Sequence, residues 1–207
     1  MALMEGRLRN GDTAVASLGD RREMLTNMML GQHYEQVMRG NVYIYHIASQ
    51  ALVLTATGGG CPTVINQQGS GVNFVPLSLA VCFTSGTTTI GSVLIASTLK
   101  VSAVATGAGS PVLTATQVAP VNALVGSGGV PKTLWSPTTN TFTAAPTVIA
   151  ASGINLAPAD PVGGFVGKVN FDGSLVFAPG SAMSIVYSVT TSTALFHVTI
   201  IGMEVPV

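Results

Sequence analysis

The amino-acid sequence predicts an all-β body, a sandwich or barrel, preceded by an extended and charged N-terminal arm. Three observations carry this. Beyond position 40 apolar residues recur at period two, and the three-to-four spacing of a helix is missing. Turn signals interrupt them about every 8–12 residues, the rhythm of a sandwich or barrel. Ten of the sixteen charged residues of the 207-residue chain fall in its first 39 positions.

Residues 1–39 are the arm. Arg7, Arg9, Asp12, Asp20, Arg21, Arg22, Glu23, Glu35 and Arg39 alternate in sign. Asp20-Arg21-Arg22-Glu23 has capping-box spacing. It leads into Met24-Leu25 and Met28-Met29, with Gly31 as a stop, so a short helix is expected over 21–30. The expected partner-binding residues are Arg7, Arg9, Arg21, Arg22, Met24, Leu25, Met28, Met29, Glu35 and Arg39. Arginines pair bidentately with carboxylates, and methionines supply adaptable apolar contact.

The body, 40–207, is read in order. Val42-Tyr43-Ile44-Tyr45-His46-Ile47 is β-branched and aromatic, a strand, and Gly58-Gly59-Gly60 separates it from the next. Phe74 to Thr84 is the longest strand candidate, with Val75, Leu77, Leu79, Val81 and Phe83 at period two. Pro76 puts its start at an edge or a bulge. Ser85-Gly86-Thr87 turns the chain, and Ile90 to Val101 resumes as a strand. Residues 102–164 are rich in Ala, Thr, Gly and Pro. They read as a loop-rich excursion between two β halves, with short strand candidates at 111–116, 130–135 and 146–150; a low-complexity stalk is the rival reading. Trp135, the single tryptophan, is expected to anchor packing there. Phe165 to Val169 is a strand, Asp172-Gly173 a hairpin turn, and Ser174 to Ala178 the return. Pro179-Gly180 turns again. Met183 to Val189 and Ala194 to Met203 are expected to form a final pair.

Composition narrows the function. The formal charge is zero, whereas nucleic-acid binding calls for a basic patch. The apolar run Leu79–Phe83, with Val75–Leu77 before it, is far short of the roughly 18–20 residues of a spanning helix. Twelve aromatic residues are few for the girdles of a membrane barrel. The N-terminus lacks an apolar h-region, so no signal peptide is expected. Cys61 and Cys82 are expected to be free thiols behaving as small core residues; a disulfide is the alternative, but no secretory signal favours an oxidising compartment, and a metal site needs more Cys or His at fixed spacing.

Catalytic chemistry finds little material. His33 lies in the arm, and His46 and His197 lie in strand candidates. No Gly-x-Ser-x-Gly elbow occurs in strand-to-helix context. The glycines of Gly69-Ser70-Gly71 and Gly107-Ala108-Gly109 lack the Lys-Ser/Thr of a phosphate loop. Asp160 and Asp172 stand in turn contexts, where Asp bonds local backbone, and Glu204 is near the end. No catalytic, cofactor-binding or metal-ligating set is expected.

Two segments carry a family resemblance. His33-Tyr34-Glu35-Gln36-Val37-Met38-Arg39-Gly40-Asn41-Val42-Tyr43, followed by small polar strands, is similar to a stretch of tailed-bacteriophage virion proteins. Leu175-Val176-Phe177-Ala178-Pro179-Gly180-Ser181-Ala182-Met183-Ser184-Ile185, then Tyr187 to Ile200, resembles the last hairpin of viral jelly-roll proteins. The two cover roughly a fifth of the chain. The resemblance implies a jelly-roll-like β-sandwich in a virion structural protein of the capsid-decoration (cement) type. Its place would be the capsid surface, its partner the major capsid protein, and its form a homotrimer, with no nucleic acid, membrane or cofactor involved. The alternative is a tail-fibre, receptor-binding or carbohydrate-binding β module. Trp135, Tyr43, Tyr45 and Asp160 would then line an exposed cleft.

Overall fold

The protein is described by a computed structural model. It describes residues 3–7, 13–17, 33–52, 61–87, 91–98, 111–112, 119–137, 141–142, 146–156, 166–189 and 193–207. The chain divides into two compact units, Met1–Arg39 and Gly40–Val207.

In the first unit, β1 (Leu3–Arg7) pairs antiparallel with β2 (Thr13–Ser17), Leu3 opposite Ser17 and Arg7 opposite Thr13. A five-residue helix, α1 (Tyr34–Met38), ends at Arg39. Its turns are closed by Val37 N–H to the His33 carbonyl and Arg39 N–H to the Glu35 carbonyl. The helix expected over 21–30 lies outside the described residues.

The second unit is all β. Eight principal strands build it: β3 (Val42–Ala51), β4 (Thr63–Asn66), β5 (Val72–Ser85), β6 (Gly91–Thr98), β11 (Thr147–Leu156), β12 (Val166–Asn170), β13 (Ser181–Tyr187) and β14 (Leu195–Pro206). Short strands β7 (Pro111–Val112), β8 (Val121–Asn122), β9 (Leu134–Ser136) and β10 (Thr141–Phe142) lie in the connection between β6 and β11. One sheet runs β12-β5-β14-β3-β8 and the other β11-β6-β13-β4-β9. All their pairings are antiparallel. Counting only the principal strands, from first to eighth, the sheets read 6-3-8-1 and 5-4-7-2. That is the strand order of a jelly roll, two Greek keys wound into facing sheets.

Alternation explains why the sheets face each other. Along β14 the side chains of Phe196, Val198 and Ile200 are buried while Leu195, His197, Thr199 and Ile201 are half-buried. Successive side chains of a strand point to opposite faces, so one face of β14 is core. From β5, Leu79 and Val81 join it; from β6, Val93 and Ile95; from β13, Met183, Ile185 and Tyr187. Fully burying an aliphatic or Phe side chain contributes about 1.5–3 kcal/mol, and the core cluster draws them from both sheets.

β5 is the longest strand, at 14 residues. Pro76 lies opposite Gly202, at a register shift between Ile201 and Gly202. A proline lacks the ladder N–H, and a bulge accommodates that loss. Gly202 also admits the Phe74 ring: a Cβ there would come within 2.2 Å of Phe74 Cε2.

Three expectations need correction. Met183–Val189 and Ala194–Met203 do not pair: β13 bonds β4 and β6, while β14 bonds β3 and β5. β13 and β14 belong to different sheets, so the chain between them changes sheets instead of folding a hairpin. Asp172-Gly173 is a tight turn, with φ of 47° and 80° and Ser174 N–H bonded to the Phe171 carbonyl at 2.8 Å. Yet Ser174–Ala178 does not return along β12. Phe171 N–H bonds Leu77 and Phe177 pairs with Phe74, so the chain continues along β5. Buried Phe171 and Phe177 anchor the two ends of this excursion. Finally, the candidate at 146–150 opens β11, a principal strand of ten residues, so the connection proper is 99–146, not 102–164.

Gly202→Ala tests the close approach at the bulge. The added methyl must displace a buried ring, and overpacking of this kind costs typically about 1–3 kcal/mol. Urea unfolding should show a loss in that range, and a Phe74→Leu background should reduce the cost of Gly202→Ala.

Candidate functional site

Residues 99–146 leave β6, extend both sheets and return as β11. β8 adds to the edge strand β3 and β9 to the edge strand β4. Two side chains hold this connection in place. Asn122 donates to the Gly40 carbonyl at 2.8 Å and accepts from Leu124 N–H at 2.8 Å. Glu204, from β14, is the one buried charged side chain among the described residues. Its Oε1 accepts from Lys132 N–H, Thr133 N–H and the Thr133 hydroxyl, each at 2.8 Å, and its Oε2 from Lys132 N–H at 3.1 Å.

The network continues inward. Thr133 spends its proton on Glu204, so its oxygen accepts from the Tyr45 hydroxyl, 2.6 Å away. Burial first, and the Glu204 charge as a lesser cause, raise Tyr45 well above the ordinary tyrosine range. Tyr43 is raised by the same two causes in the same order. Tyr45 meets Phe74 and Trp135 edge-on, with centroids 5.4 and 5.9 Å apart. The Trp135 indole N–H donates to the His46 carbonyl at 3.2 Å. Trp135 is therefore a packing anchor, 1% exposed.

This placement bears on the carbohydrate-binding alternative. Trp135, Tyr43 and Tyr45 are all buried and offer no ring face to a sugar. Asp160 lies outside the described residues. A groove of about 460 Å³ opens elsewhere, beside Ser97, Ile149, Leu175, Val176 and Pro179. Its lining has no acid and no exposed aromatic ring.

The solvent face of the first sheet carries a row of polar groups. His46 and His197 stack with centroids 5.9 Å apart and planes inclined by 25°. His46 Nδ1 lies 2.9 Å from the Thr199 hydroxyl. Cys82 stands opposite His197 in register. Among the described residues no three His, Cys, Asp or Glu side chains form a group that could hold a metal ion. Neither Cys61 nor Cys82 is in a disulfide. Burial pushes the Cys61 thiol up to about 11. A thiol so raised is a poor nucleophile at neutral pH, and Cys61 belongs to a small apolar cluster with Ala96 and Val186.

Of the residues expected to bind a partner, Glu35 and Arg39 form an ion pair with each other across one turn of α1. Arg7 ends β1. Arg9, Arg21, Arg22, Met24, Leu25, Met28 and Met29 lie outside the described residues. Glu204 was not singled out by its sequence context as a functional or structural group. Its one signal is its position: an acid at an inward-facing place of an otherwise apolar, alternating strand.

No family model matches the chain, and comparison with curated proteins and with solved structures finds no match either.

Glu204→Ala should strip the acceptors from two backbone N–H groups and a hydroxyl. Leaving a buried donor unsatisfied costs about 1–3 kcal/mol, so a loss of roughly 3 kcal/mol or more in urea unfolding is expected. Glu204→Gln keeps the oxygen that takes three of the four contacts and should lose less. Equal losses in the two variants would show that charge, not acceptor geometry, holds the connection.

Proposed function

We propose that this chain is a structural protein of a tailed-phage particle, a decoration or cement protein that binds and stabilises the capsid shell. In this reading residues 1–39 grip the major capsid protein, and the sandwich body sits on the capsid surface as part of a homo-oligomer, the trimer implied by the resemblance.

The observation that carries the reading is the segregation of charge. Ten of sixteen charges lie in the first 39 residues, and the chain divides into compact units at that same point. The body has six, Lys100, Lys132, Asp160, Lys168, Asp172 and Glu204, and Glu204 is consumed internally. Soluble proteins ordinarily carry about a quarter charged residues, against 8% here. A surface so poor in charge is weakly defended against association and suits a protein whose resting state is an assembly. The particle itself comes from the sequence resemblance, and a jelly roll is an architecture that capsid proteins use among others.

Exposed ion pairs contribute about 0–1 kcal/mol each. Attachment through the arm must therefore combine many of them, or bury the Met24, Leu25, Met28 and Met29 side chains against the shell. Deleting residues 1–30 should leave a folded β body that no longer co-sediments with particles stripped of the protein. Added salt should weaken attachment of the full chain only in part, because apolar contact is not screened. Equal co-sedimentation by the truncated chain would assign attachment to the body and overturn the proposed role of the arm.

A further inference from the structure

β5, β14 and β3 lie side by side in the first sheet. On their solvent face two of the three histidines of the chain meet. His46 of β3 stands opposite Thr199 of β14. His197 lies two residues before Thr199, and side chains two apart on a strand share a face. The His46 and His197 rings stack with centroids 5.9 Å apart and planes inclined by 25°. His46 is exposed and His197 half-buried.

The backbone beneath the pair is irregular. Val198 pairs with Ile47 and Phe196 with Gln50, so Ala48 and Ser49 together face His197. Two residues against one make a β-bulge, a device that bends a strand and re-aims its side chains. The bulge falls at His197 itself, the residue whose ring meets His46. Ser49 holds φ at 54°, a left-handed conformation uncommon for any residue but glycine. Such outliers cluster at functional sites. Thr199 supplies a further element, with its hydroxyl 2.9 Å from His46 Nδ1. When Nδ1–H donates to that oxygen, Nε2 keeps the free lone pair. A partner of this kind on the second ring nitrogen fixes the tautomer and orientation of metal-binding histidines.

We infer that His46 and His197 together bind one divalent transition-metal cation, each through a ring nitrogen, with water completing the coordination. Imidazole suits Ni²⁺, Cu²⁺ and Zn²⁺, whereas Mg²⁺ and Ca²⁺ take oxygen ligands. β3, β5 and β12 contain no acid, and Glu204 of β14 is buried among its own donors. Cys82, opposite His197, turns its thiol to the Phe83 carbonyl at 3.8 Å, which leaves two protein ligands. Metal–nitrogen bonds of about 2.0–2.1 Å place two ligand nitrogens within about 4 Å of each other. Histidine χ2 is a soft torsion, which lets the stacked rings adjust to that spacing. The inference stands apart from the capsid reading and holds or fails on the isolated chain.

The test is calorimetric titration of the full, untagged chain with Ni²⁺, a probe that does not oxidise thiols. One Ni²⁺ should bind per chain, and Mg²⁺ should give no binding. His46→Ala and His197→Ala should each weaken Ni²⁺ binding at least tenfold. Thr199→Val keeps the β-branched shape and should weaken it by a smaller factor. His33→Ala, in the first unit, and Cys82→Ser should leave it unchanged. A readout on the unmodified chain covers the case of a misfolded variant: Ni²⁺ should protect His46 and His197, but not His33, from carbethoxylation by diethyl pyrocarbonate, mapped by mass spectrometry. Absence of binding, binding indifferent to both histidine substitutions, or protection that does not favour His46 and His197 over His33 would overturn the inference.

Discussion

The strand added beside β4 depends on one buried carboxylate. The connection 99–146 is rich in Ala, Thr, Gly and Pro, yet it must cover the open sides of β3 and β4 with β8 and β9. Asn122 fixes the β8 end, and Glu204 fixes the β9 end by accepting two backbone N–H groups and a hydroxyl at the point where the connection enters β9. Trp135 follows two residues later and fills the core beside Tyr45. A carboxylate in an apolar setting is costly unless its oxygens are satisfied, and here four contacts satisfy them. Polar and apolar anchoring are thus stacked: the acid fixes the backbone, and the backbone delivers the indole.

This arrangement also shapes the surface. A body with six charges that spends one of them inside leaves its sheets covered by Thr, Ser, Ala and Val. Water tolerates such a surface, but it carries few charges to repel a neighbour. Edges are then the sensitive places. Three of the four are short or carry a lysine, and the fourth, β11, is neutral and interrupted by two register breaks. Electrostatic discrimination has to come from the first 39 residues, where the charges of both signs are gathered. In the proposed reading a neutral body and a charged arm divide two tasks: association without specificity of charge, and recognition with it.

Strands of strong β composition were legible. β5 and β3 could be read from Phe74–Thr84 and Val42–Ile47 because both are rich in β-branched, aliphatic and aromatic residues, even though Phe74–Leu79 are buried in succession, and Pro76 announced its bulge. The partnership of β13 and β14 could not be read, because period two identifies a strand but not its neighbour. Two adjacent strands joined by a short polar link look alike whether they hairpin or cross between sheets. Asp172-Gly173 marked the turn but not the path of the chain beyond it, which is set by Phe171 and Phe177 reaching the core. Glu204 is hard to read for a related reason: its donors, on Lys132 and Thr133, are some seventy positions away, and two of the three are backbone N–H groups that any residue could supply. α1 carries no buried residue, so no hydrophobic stripe betrays it. Charge segregation is the functional signal that survives, because it needs no contact map.

That segregation is also where the proposed role of the arm is most exposed to test. Hydrogen exchange on the protein free and bound to stripped particles measures it directly. Binding is predicted to slow exchange across residues 1–39 and to leave the solvent faces of both sheets unchanged. Protection spread over the sheets of the body, with residues 1–39 exchanging as fast as in the free protein, would contradict it.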